Sequence, residues 1–328
     1  MGYIAVIGAG SWGTTLANLL AEKGNDVYLW AYEQELVDEI KRTNMNGTYL
    51  PGLPLSQNIE ITSDLGKALS TARYVLNVVP TQFTRSVFSK AKNLISENSL
   101  IISASKGIEH GTLLTVSSIL EELTGSDVAA LSGPSFAEEV IKQLPTAVTI
   151  AAHNNETAMI LQDVFNTDSF RVYTNSDVLG VELGGALKNV MAIASGISDG
   201  LGLGASTRAA LITRGLAEMT RLGVAMGARE KTFGGLSGLG DLVLTCTGTL
   251  SRNYTVGFQL GRGKKLEEIL GKMKMVAEGV ATSKSAYELS KRHGVEMPIV
   301  EQINNVVNEG KKPDEAVKEL MGRSLKAE

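Results

Sequence analysis

The chain has 328 residues, enough for two domains at roughly 150 residues each. Its 31 basic and 35 acidic residues give a net charge of −4 without a long run of either sign, which argues against nucleic acid as a partner. The single cysteine, Cys246, excludes an internal disulfide. The sequence shows no signal-peptide pattern and no unbroken apolar run of the roughly 18 residues that a membrane span needs, so we expect a cytoplasmic protein with no membrane span.

Short apolar runs alternate with amphipathic stretches through the first half of the chain. Buried strands are predicted at residues 3–7, 26–30, 74–79, 99–103, 128–131 and 147–151. Residues 14–23 are predicted to form a helix that ends at Gly24. Strands that alternate with helices predict a parallel, doubly wound sheet of the α/β class, which binds ligands at the carboxyl ends of its strands.

The pattern becomes helical from about residue 177. Helices are predicted at residues 181–195, 209–222 and 283–293, and glycine-rich breaks at residues 200–204 and 234–240 separate them. The sequence therefore predicts two domains, a doubly wound α/β domain over residues 1–177 and an all-α domain over residues 178–328.

A glycine-rich turn (residues 8–13, GAGSWG) follows the first strand and opens the first helix. The first glycine permits the tight turn, the second lets a pyrophosphate approach the backbone, and the third lets the helix pack against the strand. The helix N-terminus offers free N–H groups and the positive end of its dipole. This context predicts a Rossmann-type domain that binds NAD or NADP, although a purely structural turn is the alternative. The cofactor-binding candidates are Gly8, Gly10, Ser11, Trp12 and Gly13.

The end of the second predicted strand is the place where such domains choose between NAD and NADP. An acidic residue there favours NAD, and a basic residue favours NADP. Glu33 favours NAD, whereas Tyr32 is compatible with stacking on the adenine of either cofactor. The choice between the two stays open.

Two more motifs follow predicted strands. Lys106, in the motif SKG, is expected to place its ammonium in the ligand crevice, although a surface lysine is the alternative. In the motif SGPSFAE, Ser135 and Glu138 have capping-box spacing, which predicts that a helix begins there. The segment from Gly133 to Ala137 is expected to line the nicotinamide half of a cofactor site.

The second half carries a candidate acid–base group. Gly184 and Gly185 lie inside a predicted helix, where each costs roughly 1 kcal/mol relative to alanine. Such a cost predicts that another element approaches this helix closely. Lys188 beside the gap would be partly desolvated and suited to proton transfer, whereas a solvated helix lysine is the alternative. Asp241 lies among apolar residues and needs a partner, for which a catalytic lysine is a natural candidate.

Three consecutive polar residues form the last motif. Ser251, Arg252 and Asn253 combine hydroxyl, guanidinium and amide donors, a set that suits a phosphate group. A polar turn is the alternative. The three histidines are scattered without metal-ligand spacing, so no metal site is predicted.

Seven motifs in this order resemble the bacterial NAD(P)-dependent glycerol-3-phosphate dehydrogenases over nearly the whole chain. They are GAGSWGT, SKG, SGPSFAEE, GGALKNV, RGLAEM, GLGDLVLTC and SRN. The resemblance implies a Rossmann domain and an all-α domain with the active site between them. It also implies a homodimer that reversibly reduces dihydroxyacetone phosphate to sn-glycerol 3-phosphate, supplying phospholipid synthesis.

The resemblance also implies roles for individual residues. Lys188 is the implied acid/base, Lys106 contacts cofactor and substrate, and Asp241 is the acid beside Lys188. The implied substrate contacts are Lys106, Gly133, Ser135, Lys188, Asp241, Ser251, Arg252 and Asn253. The further implied cofactor contacts are Tyr32, Lys106, Ala137, Arg252, Val276 and Glu278. Many members carry Arg or His in place of Tyr32, so the resemblance does not predict whether NADH or NADPH is preferred.

Two other functions are compatible with these motifs. One is a related two-domain dehydrogenase of another hydroxy acid or phosphorylated polyol. The other is a non-enzymatic dinucleotide sensor. The polar cluster at residues 251–253 argues against a substrate without phosphate, and the two lysines argue against a sensor.

Overall fold

The computed structural model describes residues 3–273 and 275–325, which form two compact units. The first unit comprises the chain up to Lys106 together with Leu114–Glu182. The second comprises Gly107–Leu113 and the chain from Leu183 onward. The division falls inside one helix, slightly after the predicted boundary at residue 177. The assignment of Gly107–Leu113 to the second unit was not predicted, because nothing in its local pattern distinguishes it from a loop of the first.

Eight strands form a single sheet in the first unit. They are β1 (Ile4–Ile7), β2 (Val27–Trp30), β3 (Ile59–Thr62), β4 (Tyr74–Asn77), β5 (Leu100–Ser103), β6 (Val128–Ser132), β7 (Thr146–Ala151) and β8 (Phe170–Asn175). Their order is β3-β2-β1-β4-β5-β6-β7-β8. The two strands that sequence analysis missed, β3 and β8, are the edge strands. Arg171 and Tyr173 of β8 are exposed, so its pattern lacks the apolar run of a buried strand.

The sequence predicted a parallel sheet, and this prediction is wrong for one pair of strands. Strands β1 to β6 are parallel, but β7 runs antiparallel to β6 and parallel to β8. The link from β6 to β7 contains only a five-residue helix, so the chain returns beside β6 without a full crossover helix.

Seven helices cover the two faces of this sheet. They are α1 (Ser11–Glu22), α2 (Gln34–Thr43), α3 (Leu65–Leu69), α4 (Thr81–Ala91), α5 (Val116–Thr124), α6 (Ala137–Ile141) and α7 (Asn155–Phe165). Because side chains alternate along a strand, Val6 and Leu76 pack on one face with Leu16 of α1. Ile7 and Ile101 pack on the other face beside α4 and α5. Both faces are therefore buried, and ligands can enter only at the ends of the strands.

The described part of the second unit is helical. Its helices are α8 (Val178–Gly200), α9 (Gly204–Ala225), α10 (Glu230–Phe233), α11 (Asp241–Thr247), α12 (Arg252–Gly261), α13 (Leu266–Leu270), α14 (Glu278–Arg292), α15 (Pro298–Asn308) and α16 (Pro313–Met321). A π-helical turn, Leu236–Gly240, leads directly into α11. The three helices predicted from the sequence correspond to α8, α9 and α14.

Helix α8 is long and apolar enough to cross a membrane by length and composition. The sequence analysis had found no such stretch, because Glu182 and Lys188 interrupt the apolar run. Of the qualifying window, 94% is buried inside the protein. A core helix of a globular protein has the same character, so α8 is weak evidence for a membrane span.

A buried carboxylate of α9 caps the N-terminus of α15. Glu218 accepts hydrogen bonds from the backbone N–H groups of Ile299, at 2.9 and 3.1 Å, and Val300, at 3.2 Å. Burial, which disfavours the charged form, raises the pKa of Glu218 from 4.5 to about 7.

Stability should therefore depend on pH through this carboxylate. Because the folded pKa lies above the unfolded value, the contribution is complete below about pH 4.5 and is lost as the pH rises through about 7. We expect the free energy of unfolding to fall by about 2–3 kcal/mol between pH 5 and pH 8. Urea denaturation across this range should show a smaller fall in Glu218→Gln. Parallel profiles for the two proteins would contradict the assignment.

Candidate active site

The glycine turn between β1 and α1 needs glycine at its first and last positions. Gly8 has a φ of +119°, and a Cβ there would lie 2.8 Å from the carbonyl oxygen of Val78. A Cβ at Gly13 would lie 1.8 Å from the carbonyl oxygen of Gly8. A Cβ at Gly10, in contrast, would meet no atom within 4 Å. The fold itself does not require the middle glycine, whose open surroundings leave room for a ligand.

The N-terminus of α1 is held in place and has no side-chain cap. Asn46 donates to the carbonyl oxygen of Ala9 at 2.9 Å and to the hydroxyl of Thr14 at 2.8 Å. The N-cap residue of α1 is Gly10, which has no side chain to cap the helix. The first turn, which begins with Ser11 and Trp12, has no acidic residue. The positive end of the helix dipole therefore faces an open space that suits a phosphate group.

Aromatic side chains surround the carboxyl end of β2. Tyr32 is 76% exposed, and its ring lies edge-on to Trp30 with the centroids 6.3 Å apart. Burial, and next the negative charge of Glu33, raise the pKa of Tyr49. The charge of Glu33 is therefore felt by Tyr49. The backbone N–H of Tyr49 donates to Oδ1 of Asn46, the residue that holds the glycine turn in place.

The sequence analysis did not single out two other aromatic residues of the first unit, Tyr49 and Phe83. Tyr49 lies in a loop without periodicity, which gave no signal. Phe83 is 57% exposed in the first turn of α4, three residues after Pro80. The sequence signal that could have identified Phe83 is its position just beyond the end of β4.

Lys106 and Gly133 come together at the carboxyl ends of β5 and β6. The ammonium of Lys106 donates to the carbonyl oxygen of Gly133 at 3.1 Å. The adjoining Ser105 hydroxyl donates to Val79 at 2.6 Å and accepts from Asn77 at 3.2 Å. These contacts fix the loop that carries Lys106 against the ends of three neighbouring strands.

A helix begins close to the predicted place, but the capping box predicted for Ser135 and Glu138 is wrong. The hydroxyl of Ser135 donates to the carbonyl oxygen of Gly133 at 3.0 Å. Helix α6 begins two residues later at Ala137, with Phe136 as its N-cap and no capping side chain, so Ser135 precedes the capping position. The carbonyl oxygen of Ala137 instead accepts from Thr15 of α1 at 3.2 Å.

The second unit contains a buried ion pair. The ammonium of Lys188 lies 2.6 Å from Oδ1 of Asp241 and 2.7 Å from the hydroxyl of Thr245. Only 7% of Lys188 and 1% of Asp241 is exposed. Thr245 donates its own proton to the Asp241 backbone carbonyl at 2.6 Å, so its oxygen is oriented to accept from Lys188. The pairing predicted for Lys188 is present, and Thr245 is an additional partner that sequence analysis did not single out.

Close packing against α8 aligns this pair. A Cβ at Gly184 would lie 2.5 Å from the carbonyl oxygen of Ser237, in the π-helical turn that precedes Asp241. The predicted close approach to this helix is thus confirmed. At the other end of α11, Ser195 donates to the carbonyl oxygen of Cys246 at 2.8 Å. Burial raises the pKa of the Cys246 thiol to about 12, in keeping with a packing residue.

The polar cluster at residues 251–253 begins α12. Ser251 is its N-cap and accepts from the backbone N–H of Tyr254 at 3.2 Å. Arg252 is exposed and donates to the carbonyl oxygen of Val276 at 2.9 Å. The hydroxyl of Ser251 is therefore already used to begin the helix, while the guanidinium lies beside the segment that begins α14.

Asn253 connects three helices. Its Oδ1 accepts from the backbone N–H of Gly279 in the first turn of α14 at 2.9 Å, and its Nδ2 donates to Asn189 of α8 at 2.9 Å. Glu278 is the first residue of α14. Asn189, the residue after Lys188, was missed because an amide on a helix has no distinctive spacing. The N-termini of α12 and α14 thus converge beside α8, where the Arg252 guanidinium favours an anion and the Glu278 carboxylate in the first turn of α14 opposes it.

The described residues contain no group of three or more histidine, cysteine, aspartate and glutamate side chains that could hold a metal ion. The chemistry that the site residues offer is proton transfer by Lys188 and anion binding by Arg252 at the start of α12.

Comparison with known proteins identifies the family. The family models described as the N-terminus and C-terminus of NAD-dependent glycerol-3-phosphate dehydrogenase match residues 3–158 and 177–318. The chain is 60% identical to a glycerol-3-phosphate dehydrogenase [NAD(P)+] of Citrifermentans bemidjiense over 99% of this chain and 98% of the relative. It is 56% identical to one of Geobacter sulfurreducens, with the same coverage of both chains.

A solved structure agrees with these relatives. The crystal structure of glycerol-3-phosphate dehydrogenase from Coxiella burnetii has a TM-score of 0.95 at 42% identity, covering 98% of this chain and 99% of the other. The matched regions together include both the glycine turn and the Lys188–Asp241 pair. The chain belongs to the NAD-dependent glycerol-3-phosphate dehydrogenase family.

Proposed function

We propose that this protein is an NAD(P)-dependent sn-glycerol-3-phosphate dehydrogenase, which reversibly reduces dihydroxyacetone phosphate to sn-glycerol 3-phosphate. The observation that carries the proposal is the buried pair of Lys188 and Asp241 in the same unit as the converging N-termini of α12 and α14. To reduce a phosphorylated ketone, an enzyme needs a proton donor for the ketone oxygen and a binding site for the phosphate, in addition to the hydride donor. The names of the relatives support the same reaction.

The first unit is proposed as the dinucleotide-binding domain. The open space at Gly10 and the uncapped start of α1 fit a pyrophosphate. The residues proposed to hold the cofactor are Gly8, Gly10, Ser11, Trp12, Gly13, Tyr32, Lys106, Ala137, Arg252, Val276 and Glu278. The carboxylate of Glu33 at the end of β2 favours a ribose hydroxyl over a phosphate, and therefore NADH.

The second unit is proposed as the substrate domain, with Lys188 as its acid/base. When bound, the reduced nicotinamide supplies a hydride to C2 of the substrate. Lys188 then donates a proton to the oxygen on C2, and Asp241 and Thr245 hold its ammonium in one direction. We propose that Lys106 orients the same oxygen.

The phosphate group is proposed to bind where α12 and α14 begin. Arg252 supplies a charge-assisted contact, and Asn253 retains one amide hydrogen beyond its bond to Asn189. Gly133, Ser135 and Ser251 complete the proposed substrate contacts. Binding energy from the phosphate would position the carbonyl for reaction.

The cellular setting is a proposal that rests on the sequence pattern and on the family to which the chain belongs. We propose that the protein is a cytoplasmic homodimer without a membrane span. We also propose that the glycerol 3-phosphate it forms supplies phospholipid synthesis.

Initial rates with and without the substrate phosphate test the proposal. We expect kcat/KM for dihydroxyacetone phosphate to exceed that for dihydroxyacetone by at least about 10³-fold, because remote binding energy is lost with the phosphate. Equal rates, or a preference for a non-phosphorylated hydroxy acid, would favour the related dehydrogenases instead.

The glycine turn offers a test of cofactor binding. Gly10→Ala should raise the Kd of NADH by about tenfold or more, because its Cβ enters open space that the pyrophosphate would need. The loss of stability should be no more than about 1 kcal/mol, the cost of alanine in place of glycine at an N-cap. Gly13→Ala should instead lower stability, because its Cβ collides with the backbone of Gly8. Fluorescence titration and thermal unfolding measure the two effects. Unchanged NADH affinity in Gly10→Ala would argue for a purely structural turn.

A further inference from the structure

Helices α8 and α12 pack through glycines on both sides. A Cβ at Gly257 would lie 2.1 Å from the carbonyl oxygen of Ile193, and a Cβ at Gly261 would lie 2.5 Å from that of Ile197. Residues four apart lie on one face of a helix, so these two glycines form a continuous flat surface along α12.

The contact is reciprocal on α8. A Cβ at Gly196 would lie 2.1 Å from the carbonyl oxygen of Tyr254, and a Cβ at Gly200 would lie 2.4 Å from that of Phe258. Because each colliding atom belongs to the backbone, no side-chain rotation can relieve the contact. A methyl group at any of these positions would push the two helices apart.

These two helices carry both halves of the proposed substrate site. Helix α8 bears Lys188 and Asn189, and α12 begins with Arg252 and Asn253. The bond of 2.9 Å between the Asn253 and Asn189 amides spans the same pair of helices. The distance between the proton donor and the phosphate contacts is thus set by the separation of α8 and α12.

We propose that Gly196 and Gly257 are positioning residues, whose missing side chains place the phosphate contacts of α12 at the correct distance from Lys188. This inference rests on the proposed function. Gly257 lies five residues from Arg252, about 7.5 Å along the helix, so a displacement at Gly257 is transmitted to the start of α12. To bring a contact of 2.1 Å to an acceptable distance of 3.0 Å, the helix must move by roughly 1 Å.

Gly257→Ala should therefore weaken phosphate recognition. We expect the KM for dihydroxyacetone phosphate to rise by about 10- to 100-fold, since a displacement of this size at a positioning contact has effects of that order. The fall in kcat should be smaller, because Lys188, Asp241 and Thr245 lie on α8 and α11. Competitive inhibition by inorganic phosphate should weaken by a similar factor, which reports on the phosphate contacts directly.

Gly223→Ala is the control for a loss of stability away from the α8–α12 contact. A Cβ at Gly223 of α9 would lie 2.1 Å from the ring of Phe233, so the collision is equally close and lies in the same unit, although it is with a buried side chain and not with backbone. We expect both variants to unfold at lower temperature, but only Gly257→Ala to change the KM and the inhibition by phosphate. Gly261→Ala, at the last residue of α12, should show a smaller rise in KM of about threefold to tenfold and replaces Gly257→Ala if that variant does not fold.

The outcomes separate this inference from the proposed function. A wild-type protein that does not reduce dihydroxyacetone phosphate would overturn the proposed function. An active wild type whose KM changes equally in the α12 variant and in Gly223→Ala, or in neither, would overturn the positioning role alone. A rise in KM confined to the α12 variants would support it.

Discussion

Lys188→Met is expected to lower kcat for dihydroxyacetone phosphate by about 10²- to 10⁴-fold, the usual contribution of a positioned proton donor. Methionine keeps most of the volume of the buried side chain and removes the ammonium that contacts Asp241 and Thr245. The KM should change less than kcat, because the phosphate contacts lie on other helices. Steady-state kinetics at saturating cofactor measures both quantities.

Lys284→Met is the control for this variant. Lys284 is exposed on α14 in the same unit, so its loss should leave kcat within about twofold of the wild type. If Lys188→Met kept kcat within tenfold of the wild type, another group would have to supply the proton.

Breaking the buried ion pair from either side is expected to cost about 3–5 kcal/mol of stability. Asp241→Leu would remove the carboxylate that contacts the buried Lys188 ammonium, and Lys188→Met would remove the ammonium that contacts the buried carboxylate. Both side chains are almost completely buried, at 9% and 1% exposure, so solvent screens little of this cost. Urea denaturation of each variant gives the free energy of unfolding.

The double variant distinguishes a charge effect from a packing effect. Lys188→Met combined with Asp241→Leu replaces the pair by apolar groups and should restore stability to within about 1 kcal/mol of the wild type. The protein should nevertheless stay as inactive as Lys188→Met alone. Additive losses in the double variant would show that the pair is not coupled.

The sequence predicted the main features of the fold where the patterns were strong. Six strands and the helical second unit followed from apolar periodicity. The edge strands β3 and β8 were missed because their exposed residues break the apolar pattern of a buried strand. The antiparallel direction of β7 could not be predicted, because the length of the segment between β6 and β7 does not by itself determine the direction of the second strand.

The candidate site was predicted as separate motifs, and the structure shows which of them meet within each unit. An aspartate among apolar residues and a helix with two glycines were enough to predict the pairing of Asp241 with Lys188. Thr245 and Asn189 could not be found in this way, because each joins the candidate site only through tertiary contacts. The error at Ser135 is the opposite one. Its spacing from Glu138 matches a capping box, but its hydroxyl bonds to Gly133 and does not cap α6.

The most direct test of the central claim is to identify the product of the purified protein. With dihydroxyacetone phosphate and NADH or NADPH, we expect one sn-glycerol 3-phosphate to form for each reduced cofactor consumed. Tight binding of the cofactor without its oxidation, or oxidation without formation of sn-glycerol 3-phosphate, would contradict the account.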